Sequence, residues 1–271
     1  MTLVSTDWLN ENLNKVKIID ASWHLVKNRN AIEEYNKEHI ENAIFFDLDK
    51  NSNQRKDLQH GHFLPSVKDH EKNISQMGIL NTDRIIIYCY SDLISSCRAW
   101  FQFLYFGHNP KLVSILNGGM KKWKLEGKKV TNLKTKINPS RYKASENKNM
   151  IKVKSQINEN IKKKEFIILD ARSKNRFLGL ESEPRPGIKS GSIEGSKSMP
   201  LTEIVNVKDN TFLDTKKLRD IFNSSEINSN KIVMSCGSSV SAASLALAYS
   251  LINDDYIPKI YIGSWTEYGK K

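Results

Sequence analysis

Residues 231–251 read KIVMSCGSSVSAASLALAYSL. The apolar run at 232–234 predicts a short buried strand, the small residues from Cys236 a tight loop, and the Ala- and Leu-rich stretch behind it a helix. A cysteine at the first position of such a loop has a special environment. Successive N–H groups of the turn form a nest for an anion, and the first turn of the helix adds unpaired N–H groups and the positive end of its dipole. Both favour a thiolate, the nucleophilic form of the side chain. The same pattern also accommodates an inert, buried Cys236 acting as a small hydrophobe, so the local sequence leaves two readings open.

The order of elements occurs twice. VKIIDAS (16–22) is answered by FIILDAR (166–172), HIENAIFFDL (39–48) by GSIEGSKSMPL (191–201), RIIIYCYSD (84–92) by KIVMSCGSS (231–239), and SILNGGMKKW (114–123) by KIYIGSWTEY (259–268). The offset stays near 145 to 150 residues, which marks a duplicated domain rather than an array of short repeats. Strands alternate with helices in each copy, so each is expected to be an α/β unit with a parallel sheet flanked by helices. The expected boundaries are a first domain at 1–124, an exposed Lys-, Asn- and Thr-rich linker at 125–148, and a second domain at 149–271.

Composition removes several classes. The chain has 271 residues and a formal charge of +12, but its lysines are scattered and no basic stripe interleaves with aromatics, so no nucleic-acid partner is expected. No apolar run approaches a bilayer span, and the N-terminus lacks the basic-then-apolar pattern of a signal peptide, so no membrane association is expected. Three cysteines, Cys89, Cys97 and Cys236, occur without CxxC spacing. That argues against a disulfide framework or a metal site and for a reducing, cytoplasmic setting. No nucleotide or flavin motif is present, so no cofactor is expected. The corner at Cys89 is longer and carries Asp92, which works against an anion nest. The second copy is therefore expected to be the active one.

DAR (170–172), RFLG (176–179), EPRPGIKSGSIEGS (183–196), CGSSVSAA (236–243) and GSWTEY (263–268), with AIFFDLD (43–49) and NGGMKKW (117–123) in the first half, resemble the rhodanese superfamily. The likeness is to its two-domain sulfurtransferases of the 3-mercaptopyruvate type, and it covers essentially the whole chain. The resemblance implies a relay in which Cys236 takes sulfur from a small donor, becomes a persulfide, and passes the outer sulfur to cyanide or to a thiol acceptor such as thioredoxin. It implies that the loop amides of Gly237, Ser238, Ser239, Val240 and Ser241 hold the sulfur, and that Arg176 and Arg185 grip the donor carboxylate with planar, fixed donors. It further implies a Ser238–His62–Asp49 relay for the proton that pyruvate takes up on leaving, with His60 a rival for His62.

Thiosulfate-preferring members resemble C-R-K-G-V-T at the loop and mercaptopyruvate-preferring ones C-G-S-G-V-T. Gly237 and Ser238 match the second type, while Ser239 replaces a Gly and Ser241 a Thr. If the Gly position has positive φ, Ser239 is strained. Thiosulfate as donor, and a non-catalytic binding module of the same fold, are the alternatives. Cys-dependent phosphatases of this fold need an Arg where this chain has Ala242. Asp20, Asp170, His39, Trp123 and Trp265 are expected to be architectural, Cys89 and Cys97 buried and inert, and the protein a monomer.

Overall fold

The computed structural model describes residues 2–25, 28–53, 61–225, 227 and 231–271. Two compact units account for them. In chain order the first ten elements are β1 (Leu3–Val4), α1 (Thr6–Glu11), β2 (Lys17–Asp20), α2 (Ala31–Lys37), β3 (Ala43–Phe45), α3 (Val67–Gln76), β4 (Ile85–Tyr88), α4 (Ser96–Tyr105), β5 (Val113–Leu116) and α5 (Gly119–Leu125). The remainder are β6 (Ile151–Lys152), α6 (Lys154–Lys163), β7 (Ile167–Asp170), α7 (Lys174–Phe177), β8 (Lys197–Ser198), β9 (Val205–Asn206), β10 (Thr211–Phe212), α8 (Thr215–Ser224), β11 (Ile232–Ser235), α9 (Val240–Ser250), β12 (Ile260–Tyr261) and α10 (Ser264–Tyr268).

Unit 1 holds a five-stranded sheet of order β1-β5-β4-β2-β3, and unit 2 one of order β6-β12-β11-β7-β8. All their pairings are parallel. The two orders are the same topology, which is what the repeated sequence blocks require. The central strands β4 (IIIY) and β11 (IVMS) are buried at every residue. A parallel strand covered on both faces cannot alternate apolar with polar, which is why these runs are continuous. α9 is buried along nearly its whole length and packs against β11, β12 and α8, so its Ala, Ser and Leu residues serve a helix with no wet face. Three of the outer helices, α1, α3 and α8, start on side-chain caps. Ser5 accepts from Trp8 N–H, Ser66 from Asp69 N–H and Asp214 from Lys217 N–H, each worth about 1 kcal/mol.

The units do not divide the chain at one point. Unit 1 is residues Met1–Ser52, Pro65–Asn147 and Asn206–Phe212, and unit 2 is Asn53–Leu64, Lys148–Val205 and Leu213–Lys271. Residues 125–148, expected as a free linker, are largely exposed, yet almost all of them pack as part of unit 1. Thr131 pairs with His39 through two backbone hydrogen bonds, and Tyr142 is buried with its hydroxyl 3.1 Å from His108 Nδ1. One backbone bridge and one buried ring thus give this polar stretch a fixed course that its composition conceals.

Both sheets change winding direction between their second and fourth strands in chain order. In unit 2 that puts the carboxyl ends of β7 and β11 side by side, with Asp170 in register with Ser235. Ligands of open α/β sheets sit at such a switch point. Cys236 follows Ser235 directly, and Arg172 lies two residues beyond Asp170.

Candidate active site

Cys236 leaves β11 and is 2% exposed, with Gly237, Ser238 and Ser239 completing the loop before Val240 and Ser241 start α9. Cys236 C=O accepts from Trp265 N–H at 2.9 Å, and Gly237 C=O from the N–H (2.9 Å) and Oγ1 (2.7 Å) of Thr266. With the carbonyls tied back to α10, the loop amides are left on the other side. Among the described residues the amides of Gly237 and Ser238 have no acceptor. The amide of Ser239, expected in the same cradle, is taken. Ser264 Oγ accepts from Ser239 N–H at 3.1 Å and from Cys236 N–H at 3.3 Å, and itself donates to Tyr261 C=O at 2.9 Å. The anion nest is therefore Gly237, Ser238 and the first turn of α9, narrower than the loop sequence implied.

Gly237 is required by close approach. A Cβ there would lie 2.8 Å from Arg185 Nη1 and 3.2 Å from Arg176 Nη2. Both arginines thus converge on the residue after Cys236. Arg185 is 7% exposed, its Nη2 donates to Ser238 Oγ at 2.8 Å, and its Nε is buried without a partner. Burial lowers its pKa; the Cys236 charge works against that, and Arg176 adds to it. Arginine remains a cation through such a shift.

Arg176 is held differently. Its Nη2 donates to Glu183 Oε2 at 2.6 Å and its Nε to Oε1 at 3.2 Å. Glu183 Oε1 also accepts from Arg172 Nη1 at 2.7 Å. Arg172 in turn donates from Nη2 to Asp170 Oδ2 at 2.7 Å and to Gly191 C=O at 2.8 Å, and its guanidinium lies 4.7 Å from the ring centroid of Trp265. Burial alone would raise Glu183, but hydrogen bonds and charge from Arg176 and Arg172 outweigh it and hold the carboxylate below its ordinary range. Asp170 and Trp265 hold structure, as the sequence suggested, and Arg172 ties them together. Glu183, Ser264 and Thr266 carry as much of the geometry, and the only sequence signal for them was their place in repeated or family-like blocks.

His62 packs in unit 2 and is 1% exposed. Its Nδ1 lies 3.0 Å from Ser238 Oγ, and its C=O accepts from Ser239 Oγ at 3.3 Å. Arg185 can only donate to Ser238 Oγ, which leaves the hydroxyl proton free to point at His62 Nδ1. Phe63 and Leu64 anchor the segment on Ile262 and Ile151, and Asn53 N–H donates to Phe63 C=O. His60 lies outside the described residues. Asp49 belongs to unit 1, where Trp23 Nε1 donates to its Oδ1 at 3.2 Å. Ala242, the position that would need an arginine in a phosphatase, is buried in α9. Among the described residues no group of His, Cys, Asp and Glu has the makings of a metal site.

The chain is similar to known proteins over almost its whole length. The family described as Rhodanese-like domain matches residues 5–126 and again 153–271. The chain is 34% identical over 98% of its length to thiosulfate/3-mercaptopyruvate sulfurtransferase 1, mitochondrial, of Arabidopsis thaliana, covering 75% of that protein. It is 32% identical over 98% of its length to human 3-mercaptopyruvate sulfurtransferase, covering 91% of it. Among solved structures, SseA from Escherichia coli, described as a 3-mercaptopyruvate sulfotransferase, superposes with a TM-score of 0.86 at 29% identity, over 98% of this chain and 99% of that one.

Proposed function

The chain belongs to the rhodanese-like family as a tandem-domain sulfurtransferase, and from that premise we propose that it transfers sulfur from 3-mercaptopyruvate through a persulfide on Cys236. The observation that carries this reading is the double contact on one hydroxyl. Two residues after Cys236, Ser238 Oγ meets a carboxylate-binding cation, Arg185 (2.8 Å), and a proton-handling imidazole, His62 (3.0 Å). A donor that brings a carboxylate and releases a carbanion needs both at one place.

The donor's carboxylate pairs with Arg185 and Arg176. The Cys236 thiolate attacks the donor sulfur, a sulfur–sulfur bond forms, and the carbon–sulfur bond breaks. The electron pair goes to carbon as pyruvate enolate. The proton leaving the donor's thiol passes through Ser238 and His62 to that carbon, giving pyruvate and a Cys236 persulfide anion. An acceptor thiolate then attacks the outer sulfur and restores Cys236. The amides of Gly237 and Ser238 and the first turn of α9 hold the charge on sulfur throughout. We assign Asp49 to the relay by its sequence position, and take a small thiol or thioredoxin-like protein as acceptor. A reducing compartment fits the free thiols at Cys89, Cys97 and Cys236, and we take the protein to act as a monomer.

The purified protein incubated with 3-mercaptopyruvate is expected to gain the mass of about one sulfur on Cys236 and to release pyruvate, while Cys236→Ser does neither. Arg185→Ala is expected to raise KM for mercaptopyruvate, with a loss in kcat/KM of about 10- to 150-fold, as for a charged hydrogen bond of roughly 1.5 to 3 kcal/mol. Pyruvate release by Cys236→Ser at the wild-type rate would sink the persulfide route, and an unchanged KM in Arg185→Ala would remove that residue from the donor site.

A further inference from the structure

Three guanidiniums and two carboxylates share one buried cluster in unit 2, and their pairing is unequal. Arg172 spends its donors on structure: Asp170, Glu183 and Gly191 C=O accept from it, and its side chain is 1% exposed. Glu183, whose side chain is also 1% exposed, closes on Arg176 with both oxygens. Arg185 has no carboxylate; its only hydrogen-bond partner among the described residues is Ser238 Oγ, and its buried Nε is unsatisfied. Asp170 already provides Arg172 with a counterion, so Glu183 is not needed to neutralise it. What Glu183 does beyond that is cancel Arg176 at contact distance, where little water screens the pair. The loop at Gly237, reached by Arg185 and Arg176 alike, then offers a ligand the remaining N–H donors of two guanidiniums but the net charge of one.

We propose that Glu183 is a specificity-determining residue, which trims the donor site to a single uncompensated cation and so lowers its affinity for a dianion such as thiosulfate more than for a monoanionic carboxylate. The proposal rests on the donor reading above. Electrostatic interaction scales with ligand charge, so the penalty that Glu183 imposes on a dianion is the square of the factor it imposes on a monoanion.

Anion binding tests this without turnover. Pyruvate serves as the monoanion and sulfate as the dianion, titrated calorimetrically into wild type and Glu183→Gln at neutral pH. With the negative charge removed, pyruvate affinity is expected to rise about tenfold and sulfate affinity about a hundredfold, the ratio following from the ligand charges. In parallel, the ratio of kcat/KM for thiosulfate to that for mercaptopyruvate is expected to rise in the variant. A purely structural Glu183 would weaken both anions alike; equal changes for the two, or a loss of both, overturn the proposal. Should Glu183→Gln fail to fold, Glu183→Asp, which keeps the charge but withdraws it from Arg176, is titrated in its place. A sulfate affinity that changes by the square of the pyruvate factor supports the proposal, and equal factors for the two anions overturn it. If neither donor sulfurates Cys236 in wild type, the function assigned above fails, while the anion titrations still judge the charge argument.

Discussion

Ser239 stands in the left-handed region, φ 61° and ψ 11°, where the rhodanese loop type it resembles has glycine. A side chain there costs about 1 to 2 kcal/mol. Its hydroxyl repays part of that by donating to His62 C=O at 3.3 Å, a bond glycine cannot make. A buried hydrogen bond contributes about 0.5 to 1.5 kcal/mol net, so the two terms nearly offset. Ser239→Gly removes both and is expected to leave thermal stability within about 1 kcal/mol of wild type. Ser239→Ala keeps the strain and loses the bond, and is expected to be the less stable of the two by about 1 kcal/mol or more. Melting curves of the pair check this, and an alanine variant equal to or above the glycine one would remove the strain argument. The departure at Ser239 was legible because one residue type differed from a family pattern. The bond to His62 was not, since it joins residues 177 apart in sequence. Ser264 was hidden for a related reason: its hydroxyl bridges amides at 236 and 239, and nothing in GSWTEY announces an acceptor for them.

The same connection in each copy, from the third strand to the following helix, packs with the other unit: Asn53–Leu64 in unit 2 and Asn206–Phe212 in unit 1. The first brings His62 to Ser238. The second closes the corner that corresponds to Cys236 in the other copy. Phe212 N–H donates to Asn117 Oδ1 at 2.9 Å, Lys121 Nζ to Val207 C=O at 2.7 Å, and Gly118 comes so near Asp209 C=O that a Cβ would lie 3.0 Å from that oxygen. What remains beside Cys89, between Asn210 and Phe212, is about 10 Å³, too little for a substrate. Burial also raises the Cys89 thiol, and hydrogen bonds from Ser96 only partly counter it. In a Cys236→Ser variant, iodoacetamide at pH 8 is expected to spare Cys89 and Cys97 in the native state and to modify both once guanidinium unfolds the protein. Prompt native labelling of Cys89 would show the corner to be open. The central strands and α9 were legible because buried parallel strands and a helix with no wet face leave unbroken apolar runs. The exchanged connections were not. They are polar, differ in length between the copies, and are placed by contacts with the other half of the chain, which no local pattern encodes.

At the scale of the whole molecule, duplication has left matched positions with opposite electrostatics. β7 ends in Asp170 with Arg172 as counterion, whereas β2 ends in Asp20 followed by Ser22. With no arginine paired to it, burial pushes Asp20 up to about 6 from 3.8, and the Ser22 and Tyr88 hydrogen bonds, then the charge of His39, only moderate the rise. In the same unit, burial first, then the charges of Arg98 and His108, lower His70 to about 3 from 6.5. The two act on stability with opposite sign. Between roughly pH 4 and 6 the unfolded chain has released the Asp20 proton while the folded one keeps it, so stability falls as pH rises. Between roughly pH 3 and 6.5 the unfolded chain binds a proton on the corresponding histidine while the folded one does not, so stability falls as pH drops. Each slope is about 1.4 kcal/mol per pH unit, and across pH 4.5 to 6 they cancel. Asp20→Asn preserves the acceptor for Ser22 and removes one of the two. Relative to wild type, the variant is expected to gain nothing at pH 4 and on the order of 3 kcal/mol by pH 7. Calorimetric melts from pH 4 to 8 decide the matter. A difference between variant and wild type that does not grow with pH would mean that Asp20 titrates as an ordinary carboxylate, and that the copy lacking an arginine holds its strand end by some means other than a protonated acid.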